Sequence, residues 1–431
     1  MKVLLVGDGA REHILAEQLA RSSEVYAIMA RRNPGIENIA QKAFISDFSN
    51  IEAIGAWVLK EKADLALVTS ETALAKGVAD ALADMGIQLA SPLSAGSAIG
   101  ENTVYALNLM ASAGIERPEP IVCKSEAELK NTVKRLGRVV MKPAIRIEWK
   151  GRRFSDSDFK KKTDMVRQGR SLIKRHGSLV VEEAVDGEGF SVQAITDGNA
   201  LSVMPPVHVA RRAFEGSEGE LTEGMGSYSG GRLLPFITQD DFNYAKDCLE
   251  RLIATMKAKG IEYRGPICGH FIAARKKPVM VDVLPTFGNM EVLNNLMLLK
   301  TQLAEVLASV AEGQLKPMSF LEKATVVKYL VPEGYPGTSR TKSQVAVDER
   351  VLWNNGAKAY VESLELKKSR VVTTSERTLA ICAGGETIEE AEAKAEAAAA
   401  AVSGRLRHRR DIANSEYLNR QIKHMAMLRA V

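Results

Sequence analysis

The chain has 431 residues, 45% of them hydrophobic and 26% charged, an ordinary globular composition with room for two to four domains and a sizeable core. Lys plus Arg (58) barely exceeds Asp plus Glu (53), and a net charge of +5 gives no argument for nucleic acid as a partner; no run approaches the ~18 apolar residues that would span a bilayer. Cys123, Cys248, Cys268 and Cys382 are scattered without pairing or metal-ligand spacing, so buried free thiols in a reducing cytoplasm are expected.

The apolar run after Lys2 is too short for a signal peptide and ends in a glycine turn, so it reads as a strand. Val3 to Val6 is continuous, as in a buried parallel strand. Gly7-Asp8-Gly9-Ala10 is a tight turn, and Arg11 to Leu19 carries helical periodicity. Strands at Val25–Met29, Leu65–Thr69 and Ile87–Ala90, with a helix over Ala75–Met85, predict a doubly wound parallel sheet. The turn has Gly-x-Gly but lacks the third glycine that would complete a dinucleotide fingerprint. Close packing of helix on strand explains those glycines equally well. His13 is read either as facing a ligand or as a polar surface residue.

The turn Ser91-Pro92 leads to a helix over Thr103–Ala113 and a connector through Pro118 and Pro120. The apolar strand Arg138–Pro143 ends near Lys142, which suggests a phosphate partner or a snorkelling surface lysine. Leu179–Glu183 is a strand ending in two carboxylates. Phe190–Thr196 alternates as another, closed by the hairpin signal Asp197-Gly198. Antiparallel strands here predict a separate α+β unit. A charged loop follows His208, and Thr222 to Gly231 reads as a glycine-rich loop, either flexible or close to a ligand. Asp240–Lys259 is an amphipathic helix. Gly265–Ala273 is a strand paired with Val279–Val283, which carries Asp282. A buried acid is costly unless it meets a cation or donors; the alternative is an edge-strand Asp with a solvated head. Thr325–Val331 is a strand, and Thr387–Ser403 an alanine-rich helix opened by Thr-x-x-Glu, a capping-box pattern. The basic clusters Lys150–Arg153 with Lys160–Lys162, and Arg405–Arg410, read as solvated loops, since no aromatic interleaving or RNA module accompanies them.

In order and separation these residues resemble one family over essentially the whole chain: phosphoribosylamine–glycine ligase (glycinamide ribonucleotide synthetase), of the ATP-grasp superfamily, in its archaeal type. Val6 to His13 resembles its Gly-x-Gly-x-Arg-Glu-His opening. Glu182-Glu183 through Glu188 resembles its Glu-Glu-x-x-x-Gly-Glu segment, and Gly224 to Ser229 the end of its Gly-Gly-Met-Gly loop. Lys328 to Pro336 and Arg410-Asp411-Ile412 look like its C-terminal signatures. The resemblance implies an α/β and α+β fold of ATP-grasp architecture. It divides into a Rossmann-like doubly wound parallel-sheet domain (1–101), an ATP-grasp domain (102–323, with a lid at about 121–198) and a small β-rich C-terminal domain (324–431).

The family's reaction, as the resemblance implies it, phosphorylates glycine's carboxylate with ATP and passes the acyl group to the amine of 5-phosphoribosylamine, with magnesium at the phosphates. By correspondence Lys142 would hold ATP phosphate. Glu182, Glu183 and Val185 would line the adenine hinge, with Glu188 near ribose. Gly9, Arg11, Glu12, Gly224, Met225, Gly226 and Glu291 would lie on the substrate side, and Asp282 would bind metal. The departures fall on ligand-facing positions. Leu284 stands where a second metal ligand is expected, Thr286 where an arginine would grip the substrate's phosphate, and Asn289 where an acid is usual. The phosphate loop is rewritten as Ala144 to Gly151, Thr69–Ala73 replaces Gly-Pro-Glu-Ala-Pro, and His208–Arg212 replaces Gln-Asp-His-Lys-Arg. Glu220-Leu221 and Asn102 replace further polar positions. Two readings follow. One is a working ATP-dependent carboxylate–amine ligase of this lineage. The other is a diverged paralogue that binds a nucleotide or a protein partner, or that ligates another substrate.

Overall fold

The computed structural model describes residues 1–145, 159, 161–367 and 370–430, with the backbone alone at 154 and 155. The rewritten phosphate loop from Arg146 onward and the basic positions 150–153 and 160 lie outside the described residues.

Five parallel strands open the chain: β1 (Lys2–Val6), β2 (Glu24–Met29), β3 (Lys42–Ile45), β4 (Leu65–Val68) and β5 (Gln88–Leu89), in the order β3-β2-β1-β4-β5. Val3 to Val6 are fully buried at the sheet's centre, which is why that run lacks alternation. The chain winds one way from β1 to β3 and the other way from β4 to β5. The turn after β1 therefore sits at the switch point where open sheets leave a crevice. The helix expected over Ala75–Met85 breaks at Gly77 (φ +77°) into Glu71–Ala75 and Val78–Asp84.

A second sheet contains β6 (Ile121–Cys123), β7 (Val139–Pro143), β8 (Phe154–Ser155) and β9 (Leu179–Glu183), ordered β6-β9-β7-β8. It has its own small core, in which Cys123, Val139, Met141 and Val181 pack against Leu129, Val133, Met165 and Leu172 of two helices. Next come β10 (Glu188–Thr196), β11 (Leu201–Val203), β12 (His208–Phe214), β13 (Glu218–Ser229), β14 (Gly265–Ala273) and β15 (Val279–Leu284). β10 belongs to the antiparallel sheet β11-β10-β14-β15 and not to the sheet of β9. The Asp197-Gly198 hairpin joins β10 to β11, with Asp197 Oδ1 accepting the Asn199 and Ala200 N–H groups at 2.8 Å. The helix Gln239–Ala258 buries Ala245, Cys248, Leu249, Leu252 and Met256 in the core shared with Val192 and Phe271.

The remaining strands are β16 (Ala324–Pro332), β17 (Ala357–Val361), β18 (Leu364–Lys367), β19 (Arg370–Thr373), β20 (Leu379–Gly385) and β21 (Leu406–Arg407). They complete a sheet ordered β12-β13-β16-β20-β17, with β21 also on β16; β18 and β19 form a separate ribbon. Residues 208–214 and 218–229 are thus paired strands where the sequence predicted a charged loop and a glycine-rich loop. Gly224 and Gly226 serve packing there. A Cβ at Gly224 (φ +128°) would collide with the Met290 sulfur, and one at Gly226 would lie 2.5 Å from the Val327 carbonyl oxygen. The Thr387 hydroxyl caps its helix through the Glu390 N–H, as the sequence predicted, but Glu390 reaches back to the Glu386 N–H. All four cysteines are free and buried. Among the described residues no helix is long and apolar enough to cross a membrane.

Candidate active site

The floor of the site is one face of the β10-β14-β15 sheet. Register places Ser191, His270 and Asp282 side by side across the three strands, and Gln193, Cys268 and Leu284 in the next row on the same face. Glu291, first residue of the helix Glu291–Leu298, meets this face. Its Oε1 accepts the Ser191 hydroxyl at 2.8 Å and lies 3.6 Å from His270 Nδ1 and 3.8 Å from an Arg211 guanidinium nitrogen. Burial pushes the Glu291 carboxyl up, but His270 and Arg211 outweigh it and hold the group below the ordinary carboxylate range. Asp282 is on an edge strand, as one sequence reading had it, yet its head is buried and its Oδ1 accepts the Val283 N–H.

The residues that the resemblance assigns to the nucleotide lie where the sheet of β7 and β9 approaches this floor. Lys142 does not snorkel. It is 5% exposed, its Nζ donates to the Val281 carbonyl on β15 at 2.8 Å, and it pairs with Glu182 Oε2 at 2.5 Å. Arg117 meets the other Glu182 oxygen, a partner the sequence reasoning missed because the residue sits in a connector with no local pattern. Glu183 is exposed, and Val185 is half-buried on the segment that joins the two sheets. Glu188 is held by the C-terminal helix Ser415–Ala430, with His424 Nδ1 at 2.7 Å and Gln421 Nε2 at 2.9 Å. It lines a cavity of about 280 Å³ together with His208, Arg211, Arg212 and Arg420.

The N-terminal turn is tied up internally. Glu12 accepts the Gly9 N–H, the Thr69 hydroxyl and Arg11 Nε at 2.7–2.8 Å. A Cβ at Gly7 (φ +144°) would lie 2.7 Å from that Glu12 side chain. Arg11 is buried and forks onto Glu71 and the Phe287 carbonyl. At the start of the helix Ala10–Leu19 a second carboxylate intrudes from the strand ribbon after β17. Glu362 Oε2 accepts the Ala10 N–H at 3.0 Å and the Tyr329 hydroxyl at 3.1 Å. Its Oε1 accepts Arg377 at 3.0 Å and Asn289 Nδ2 at 3.2 Å. Burial raises the Glu362 carboxyl, but Arg377 and the Ala10 N–H more than offset it and leave it below the ordinary range. A helix N-terminus favours an anion, and here the chain supplies its own. Glu362 and Arg377 escaped the sequence reading because the groups they join, Ala10 and Gly224 among them, lie far away in the chain. His13 makes a contact that neither expectation named. Its Nδ1 accepts the Val361 N–H at 2.9 Å and its ring packs edge-on against Tyr360, joining the first helix to β17. Lys328, in a C-terminal signature, is fully buried and bound by Glu392, Glu396 and the Arg410 carbonyl.

Magnesium takes oxygen ligands. At the two β15 positions where the resemblance expects them, Asp282 offers a carboxylate and Leu284 a hydrocarbon that is 3% exposed. Thr286, where a guanidinium is expected, is fully buried and donates its hydroxyl to the Thr69 carbonyl. These residues do not fit a two-ligand magnesium site.

Comparison with known proteins agrees with the fold. The models for phosphoribosylglycinamide synthetase match in order: the N domain over residues 1–100, the ATP-grasp (A) domain over 102–292 and the C domain over 325–415. The phosphoribosylamine–glycine ligase of Methanoregula boonei is 37% identical, covering 99% of this chain and 100% of its own length. That of Methanobrevibacter smithii is 34% identical, over 99% of each. The crystal structure of phosphoribosylamine–glycine ligase from Thermotoga maritima superposes with a TM-score of 0.81 at 21% identity, covering 95% of this chain and all of the other. An ADP complex of N5-carboxyaminoimidazole ribonucleotide synthetase superposes at 0.68 and 15% identity, covering 92% and 96%. The chain therefore belongs to the phosphoribosylamine–glycine ligase family, a lineage of ATP-dependent ligases with the ATP-grasp fold.

Proposed function

We propose that this protein binds ATP between the β7–β9 sheet and the β10-β14-β15 floor, and that it does not turn over glycine and 5-phosphoribosylamine as the family reaction requires. The observation that carries this reading is the contrast between two neighbouring places. Lys142 and Glu182 remain as a buried ion pair at the nucleotide side, while Leu284 fills the second metal position with carbon. Lys142 would exchange Glu182 for an ATP phosphate, with Glu183 and Val185 at the adenine and Glu188 at the ribose. The Glu362 carboxylate at the Ala10 N–H supports the same reading, because an anionic substrate group meeting that turn would meet a like charge.

A second reading, a ligase acting on other substrates, is favoured by the survival of Asp282 and Glu291, both buried on the floor. The test is purified protein with ATP, magnesium, glycine and 5-phosphoribosylamine, followed by ADP release, beside calorimetric titration with ATP. Binding without ADP release is expected, and Lys142→Ala should weaken binding by about tenfold or more, the order of a lost charge-assisted phosphate contact. Ligase-level ADP release overturns the proposal. ADP release that needs an amine or carboxylate other than the family's supports the second reading.

A further inference from the structure

We propose that Cys268, His270 and Glu291 form a binding site for a divalent transition-metal ion of zinc's class on the floor of the cleft. Cys268 and His270 are two residues apart on β14, so their side chains leave the same face of the sheet. The Cys268 sulfur, a His270 ring nitrogen and a Glu291 carboxylate oxygen all lie within 4.8 Å of one another. All three residues are buried, at 0%, 6% and 2% exposure. Tetrahedral zinc with bonds of about 2.0–2.3 Å sets its ligands about 3.3–3.8 Å apart. The His270–Glu291 separation of 3.6 Å already meets that, and the sulfur lies within 4.8 Å of both.

The donor set decides the class of ion. A thiolate and an imidazole select zinc or cobalt over magnesium, which takes oxygen. A thiolate, a carboxylate, a neutral imidazole and a divalent cation sum to zero charge, which suits a buried place better than any unbalanced set. The ligands also have outer partners of the kind that orient metal sites. The Ser191 hydroxyl is hydrogen-bonded at 2.8 Å to both His270 Nδ1 and Glu291 Oε1. Arg211 faces Glu291 from β12, and Asp282 neighbours His270 on β15. Cys268 is the cross-strand neighbour of Leu284. Sulfur and nitrogen therefore appear on β14 beside the β15 position that has lost its oxygen. The cysteine spacing that looked uninformative in sequence, Cys-x-His on one strand, is the signal that could have marked this place.

The inference stands apart from the nucleotide reading, since its readout needs no nucleotide. The chelator-treated full chain is titrated with cobalt(II) alone. One equivalent should bind with a sulfur-to-cobalt charge-transfer band in the near ultraviolet, and zinc should displace it. Cys268→Ser should abolish that band, and His270→Gln should weaken cobalt binding by about tenfold or more. No charge-transfer band in the parent protein overturns the proposal, and so does a band that persists in Cys268→Ser. Should Cys268→Ser not fold, X-ray absorption of the zinc-loaded parent protein decides: one sulfur among nitrogen and oxygen neighbours supports the site, and a shell without sulfur overturns it.

Discussion

At the scale of single residues, His13 carries a consequence for stability. Burial pushes its imidazole down to about 4, only partly countered by Glu17, and the neutral ring accepts the Val361 N–H. Above the ordinary histidine range both folded and unfolded chains hold the ring neutral, so nothing is lost. As pH falls through 6.5 the unfolded chain takes a proton that the folded chain refuses until about pH 4. Between pH 7 and pH 5 this amounts to about 2 kcal/mol of lost stability. Urea unfolding of the parent and of His13→Asn, which keeps an acceptor for Val361, should show that acid loss shrinking in the variant. Identical losses would remove His13 as the cause. His208, also pushed down first by burial, is present in both proteins and cancels. The sequence offered His13 only as ligand-facing or exposed, because a contact with Val361 spans the length of the chain and leaves no local spacing to read.

At the scale of elements, legibility followed the range of the interactions. β1, the helix Gln239–Ala258 and the β14–β15 pair were plain, since burial of one face or of both writes itself into local apolar periodicity. β12 and β13 were not, because Arg211, Arg212 and the glycines look like loop, while pairing with each other and, for β13, with β16 makes them strand. The same long reach hides the contact between the Glu362 turn and the first helix. Removing that contact should have two effects. Glu362→Ala takes one of two carboxylates from Arg377, which is 1% exposed and keeps Glu223 at 3.1 Å, so the variant should unfold more easily, by less than the ~3–5 kcal/mol of a fully unpaired buried charge. It also frees the Ala10 N–H at a helix N-terminus. Inorganic phosphate should therefore raise the melting temperature of Glu362→Ala and leave the parent unchanged. Equal responses would mean that the carboxylate is not filling an anion seat.

At the scale of the whole molecule, the family's architecture outlasts its polar inventory. Full-length identity of 37% to a relative coexists with Leu284 and Thr286, since a fold is held by its core and a reaction by a few side chains. The resemblance marked Asp282 as the metal position and Leu284 and Thr286 as departures from the family's pattern. What it could not give was how the neighbourhood has closed around them, and that changes what restoration should require. Leu284→Asn returns an oxygen to the floor beside Asp282 with the same number of side-chain heavy atoms, at a cost of about 1–3 kcal/mol for burying an amide, so it should fold and add a measurable magnesium dependence to nucleotide binding. Thr286→Arg is different. Thr286 is fully buried, its hydroxyl donates to the Thr69 carbonyl, and the adjoining Phe287 carbonyl already accepts Arg11. A guanidinium forced there overpacks a filled site, at a cost of about 1–3 kcal/mol or more. Thermal unfolding should place Thr286→Arg well below Leu284→Asn, and the double variant no higher than Thr286→Arg. A stable double variant that also releases ADP with the family's substrates would show that the cleft had kept room for the arginine, and that loss of turnover rests on these two side chains alone.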